Sequence, residues 1–107
     1  MVVAVAPFSR KNQAAVEDAV RRVEAAYAPD VVRIKHYFSD DSMGYPSIYF
    51  LLVVRDELAF SERFLTLANG VRKALDNETE AYEFGLSTHF RFRTVSEQLE
   101  LKDPAWE

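Results

Sequence analysis

The 107-residue chain contains no cysteine, three glycines and two histidines. Without cysteine there are no disulfides and no thiolate metal ligands, which fits a cytoplasmic protein. With glycine confined to Gly44, Gly70 and Gly85, a Gly-rich phosphate cradle is out of reach. Neither a P-loop nor a dinucleotide fingerprint occurs. His36 and His89 lack ligand spacing such as H-x-x-x-H. No repeat, low-complexity tract or internal linker interrupts the chain. The apolar opening "MVVAVAPF" is too short to span a bilayer. It also lacks the charged start and long apolar core of a secretory signal, so no membrane contact is expected.

What is present is the make-up of one folded domain. Hydrophobic residues are 49% and charged residues 28% of the chain, ordinary values for a globular protein. Eight Phe, five Tyr and one Trp argue against disorder. A chain of this length buries roughly 60% or more of its unfolded surface, enough for a core without staples. The formal net charge is -4. Mild acidity disfavours general affinity for nucleic acid and is compatible with a basic protein partner.

Apolar spacing divides the chain into elements. Val16, Val20, Val23 and Tyr27, widened by Ala15, Ala19 and Ala26, form one face of a helix over Ser9 to Ala28. Ser9 is its expected N-cap, and Pro29 its stop. Val31 to Phe38 alternates, with Val32, Ile34 and Phe38 on one side and Arg33, Lys35 and Tyr37 on the other. Ile48 to Val54 is continuously apolar, as in a central strand covered on both faces. Asp56 is the expected N-cap of a second helix along Phe60, Phe64, Leu67, Val71 and Leu75. Gly70 inside it costs about 1 kcal/mol relative to Ala and marks close packing. Leu86 to Thr94 reads as a third strand.

The order is α-β-β-α-β, with a short further strand at Val2 to Ala6 as an option. The expected architecture is an α+β two-layer sandwich, with two helices on one face of a small mixed or antiparallel sheet. Residues 1–95 form the single domain. Residues 96–107 form a C-terminal tail, with Leu99, Leu101 and Trp106 either folded back or awaiting a partner. The expected core is Val16, Val20, Val23, Ile34, Phe50, Leu52, Phe64, Leu67, Val71, Phe90 and Phe92.

If the strands adjoin, the second sheet face carries Arg33, Lys35, Tyr37, Tyr49, Leu51, Val53, His89, Arg91 and Arg93. Such a mixture resembles an interface centre and also the aromatic and basic sheet of single-strand RNA binders. The competing reading is that the N-terminal strand or the tail covers Leu51 and Val53. The acids Asp40 and Asp41 lie just past a strand end, where metal-binding carboxylates often sit. In "SDDSMG" they also fit a solvated turn.

The stretch "VVRIKHYFSDDSMGYPSIYFLLVVRDE" over Val31 to Glu57 resembles the core of the minimal nucleotidyltransferases. In that family a strand ends in Phe-Gly-Ser, and a later strand opens with Asp-x-Asp. Val32, Arg33, Ile34 and Phe38 match the first strand, Gly44 the loop glycine, and Ile48 and Leu51 to Val54 the second strand. Ser39 and Asp40 stand where the family has Gly-Ser, and Ser47-Ile48-Tyr49 where it has Asp-x-Asp. The resemblance implies a nucleotidyltransferase-like fold, with a ferredoxin-like one as the alternative. It implies an ancestral nucleotide loop at Ser39, Asp40, Asp41 and Gly44. With both motifs replaced it transfers no catalytic residue, metal ligand or cofactor, and phosphoryl transfer without metal ions would be crippled. Family members pair with helical HEPN-domain proteins as antitoxin and ribonuclease toxin. The tail "FRFRTVSEQLELKDPAW" is similar to that of small bacterial proteins with HEPN-like helical partners.

The expected role is therefore a non-catalytic, antitoxin-like or adaptor module that binds a helical partner or itself. Tyr37, Tyr45, Tyr49, Arg91, Arg93 and Trp106 are the expected contact residues, since aromatics bury large area for few rotors. One alternative is a stand-alone ligand-binding or self-associating αββαβ domain. Another is a residual metal-dependent nucleotidyltransferase using Asp40 and Asp41 with His36 or His89.

Overall fold

The computed structural model describes residues 10–107. The option of a strand at Val2 to Ala6 and the N-cap at Ser9 fall outside them. The elements run α1 (Arg10–Ala26), β1 (Val31–Asp40), β2 (Pro46–Val54), α2 (Arg63–Thr79), β3 (Ser87–Thr94) and α3 (Val95–Leu101). Short 3-10 turns lie at Asp56–Leu58, Ala81–Phe84 and Pro104–Trp106. The fold is α+β, with three helices and an open, mixed three-stranded sheet in the order β1-β2-β3. β1 and β2 form an antiparallel hairpin; β2 and β3 pair in parallel. Parallel pairing follows from the long connection through α2, which carries the chain back to the start of β2.

The main core lies between one sheet face and the helices α1 and α2. Val16, Val20 and Val23 from α1 meet Val31 and Ile34 from β1, Phe50, Leu52 and Val54 from β2, and Val71 and Leu75 from α2. Phe64, Leu67, Phe90 and Phe92 pack around it half-buried. Phe90 and Phe92 lie on β3, an edge strand with a neighbour on one side only among the described residues. Gly70 lets α2 approach α1 closely, since a Cβ there would sit 3.0 Å from the Tyr27 hydroxyl.

Two local readings change. A register shift between Val31 and Arg33 is a bulge, which puts Val31 in the core and leaves Val32 exposed. The helix after β2 starts later than its apolar spacing suggests. Residues 56–62 make turns first, so Phe60 is fully exposed and Asp56 does not cap α2. The Asp56 carboxylate instead accepts hydrogen bonds from the amide and hydroxyl of Ser96, at the start of α3.

The tail folds back on the second sheet face. Thr94 and Glu97 form a capping box: the Thr94 hydroxyl accepts from the Glu97 amide, and the Glu97 carboxylate accepts from the Thr94 amide. Trp106 is 3% exposed and packs on Leu51 and Val53, with Val95 beside them. This is a second, smaller core.

Candidate interaction surface

The strand registers arrange the second face in rows. Tyr37, Tyr49 and His89 form one row; Lys35, Leu51 and Arg91 the next; Arg33, Val53 and Arg93 the third. The last row is closed over by the tail. Buried Gln98 organises that closure. Its side-chain amide donates to the Asp103 carbonyl at 2.8 Å and to the Glu107 carboxylate, and its oxygen accepts from Arg93 at 2.9 Å. The Arg93 guanidinium carbon lies 4.2 Å from the Trp106 ring centroid, a cation–π contact. Arg33 donates to the Trp106 carbonyl at 2.8 Å. Of the six expected contact residues, Trp106 and Arg93 are thus committed inside the fold. Trp106 is large and apolar, and Leu51 and Val53 offer it the nearest surface to cover.

The row of rings remains open. Tyr37 and Tyr49 stack with centroids 5.0 Å apart and planes 5° from parallel; Tyr49 and His89 stack at 4.6 Å and 15°. Tyr37 is 40% and Tyr45 59% exposed. Met43, on the same hairpin connection as Tyr45, is exposed as well. Arg91 is exposed one row away, beside Leu51. Single-strand RNA binders stack bases on ring faces. Here the faces are turned onto one another across adjacent strands, leaving only the outer faces of the two end rings. The ridge presents mainly ring edges, which suit contact with protein side chains.

The acids do not converge. Asp41 closes the hairpin: its carboxylate accepts from the amides of Met43 and Tyr45, both at 2.9 Å. Its amide donates to the Tyr45 carbonyl, and its carbonyl accepts from Gly44. Gly44 has φ +84°, a turn conformation that side chains disfavour. Hydrogen bonds to the Tyr45 amide, foremost, and the Met43 amide hold the Asp41 carboxyl below its ordinary 3.8. Asp41 Oδ2 lies 3.7 Å from His89 Nε2. Asp40 ends β1 on the opposite side of the pleat, and exposed Ser39 donates to the Asp40 carbonyl.

The histidines also part company. His36 pairs with Phe50 on the helix-covered face, whereas His89 stands beside Tyr49 on the other. Burial pushes His36 below 6.5, partly countered by Glu17 at 3.6 Å. Among the described residues, no group of three His, Asp or Glu side chains is placed to hold a metal ion. No described helix is long and apolar enough to cross a membrane.

Compared with known proteins, the chain matches no family model, and neither a curated protein nor a solved structure matches it significantly.

The apolar spacing assigns the tail no element. The signal for α3 was present: "TVSE" at Thr94 to Glu97 has the Ser/Thr-x-x-Glu spacing of a capping box. Gln98 carried no signal, because its role exists only once Arg93 and Asp103 come together.

Proposed function

We infer that this protein works by binding another protein rather than by catalysing a reaction. The observation that carries this reading is the open ring ridge of Tyr37, Tyr49 and His89, with exposed Tyr45 and Met43 at its hairpin end. Stiff aromatic edges flanked by Arg are typical anchors of interfaces. The carboxylate nearest the ridge, Asp41, is occupied in closing the hairpin. The partner class comes from the resemblance to minimal nucleotidyltransferases: a helical HEPN-type protein, with this chain as its cytoplasmic antitoxin-like or adaptor counterpart. A second copy of the chain is the alternative occupant.

The test is co-expression with the helical protein encoded beside it, followed by size-exclusion chromatography and calorimetry. A stable complex is expected. Tyr37→Ala or Tyr49→Ala should weaken it by about 2 kcal/mol, the scale of an interface anchor. A monomer that ignores its neighbour's product at roughly tens of micromolar would overturn the reading.

A further inference from the structure

β3 is the last strand of the sheet, and among the described residues only β2 pairs with it. Amide and carbonyl groups alternate sides along a strand, so half of those in β3 point away from β2. An open edge is a template for another strand. The opposite edge, β1, carries the bulge at Val31 to Arg33, a feature that discourages pairing. Beyond the bulge β1 is regular, but at Ile34 its outward amide donates to Glu24 and its carbonyl accepts from Arg21, both on α1; the β2–β3 register runs without a shift from Ser87 to Thr94.

Its side chains select what can be added. One face of β3 shows His89, Arg91 and Arg93; the other shows Thr88, Phe90 and Phe92. Two β3 strands paired antiparallel about Arg91 or Phe92 would set Arg91 against Arg91 or against Arg93, because opposed residues share a face. Like charges directly opposite one another destabilise a sheet, so this edge is poorly suited to a second copy of itself. Acids at every second position of an added strand would instead face His89 and Arg91. The intervening positions would extend the Phe90 and Phe92 row. Beyond that row lies a groove of about 410 Å³ whose lining includes Val54, Ala59, Phe60, Phe64 and Phe92. Phe60 stands fully exposed at it, ready to cover an apolar side chain.

We propose that the outer edge of β3 accepts, as an added strand, an extended segment of a partner protein in which acidic and apolar residues alternate. Main-chain hydrogen bonds supply attachment, and the alternating side chains supply selectivity. This rests on reading the protein as a protein-binding module, and it names a strand edge that meets the ring ridge at His89.

The probe is the acetylated, amidated peptide Glu-Val-Glu-Phe-Asp-Val-Glu, titrated into isotope-labelled full-length protein and followed by amide NMR. Its control is the same peptide with Lys at every acidic position. Shifts and slowed exchange are expected at alternate amides of β3, with at least tenfold weaker binding for the Lys peptide and for Arg91→Glu. No response at β3 at millimolar peptide, or a response confined to Tyr37, Tyr45 and Tyr49, would overturn the proposal. So would equal binding of the acidic and Lys peptides. Peptide failure alongside a complex sensitive to Tyr49→Ala would remove the strand site and leave the protein-binding reading standing. Peptide binding at β3 with no complex at the ridge would keep the strand site and remove the ridge as the contact surface.

Discussion

The two halves of the second sheet face share the same strands and the same alternation, yet they have opposite fates. At one end Leu51 and Val53 are sealed beneath Trp106. One residue pair further along, Tyr37, Tyr49 and His89 stand as an open ridge. The difference comes from α3 and the following turn, which return over one end only. Coverage, not strand chemistry, separates core from open surface here. Even Arg93 and Arg91, two residues apart on one strand, divide in this way: the first is folded under the tail, the second left exposed.

Substitution on the two halves should expose the contrast most strongly. Trp106→Ala is expected to destabilise the free protein by about 3 kcal/mol or more, as for other buried aromatics. Tyr37→Ala is expected to cost about 1 kcal/mol or less, in keeping with a partly exposed site. Urea unfolding of both variants checks this. Equal losses would erase the distinction between a sealed and an open half.

Acid should act next. The Asp56 carboxyl, which holds the start of α3, is kept below 3.8 first by the Ser96 hydroxyl and then by the Ser96 amide. Asp41, under the open half, is also lowered. A lowered carboxyl binds fewer protons folded than unfolded, so it stabilises above pH 3.8 and loses that contribution as pH falls through its folded value. His36, lowered from 6.5 by burial, acts with the same sign in a higher window, beginning near pH 6.5. Urea midpoints should therefore fall in two steps as pH drops, one near and below 6.5 and one below 3.8. His36→Asn should remove the upper step, and Asp56→Asn should shrink the lower one. A midpoint that rises on acidification would contradict both assignments.

The smallest effect sharpens the sealed half. Lys102 ends α3 with φ 52°, a left-handed conformation that glycine adopts without penalty. Lys102→Gly should raise stability by about 1 kcal/mol or less, measured as a higher melting temperature. The ridge should keep its NMR shifts.

The long apolar periods were legible in the sequence. Val16, Val20 and Val23 on α1, and the continuous run of β2, are patterns that chain geometry alone produces. The bulge at Val31 was not, because neighbouring Val31 and Val32 satisfy an alternating pattern in either register. The start of α2 was misread because Phe60 lies four residues before Phe64 and imitates one more helical turn. The second-face rows were readable from alternation once the strands adjoined. Which row the tail would cover was not, since that depends on Gln98 and Trp106 meeting residues distant in the chain. The ring stacking was equally hidden, because ring orientation is fixed by neighbours on other strands.

Parallel pairing of β2 with β3 separates early from late events as the chain folds. The β1–β2 hairpin closes over residues 41–45 alone, a local step on the order of microseconds. β3 can dock only after residues 55–86 have been ordered into the crossover, which carries a larger closure entropy. α3 and Trp106 follow β3 in the chain and close over Leu51 and Val53. Until then the run from Ile48 to Val54 has one face bare, the kind of transient apolar strand that drives aggregation. In the folded protein Trp106 takes that face of Leu51 and Val53 out of reach of other chains.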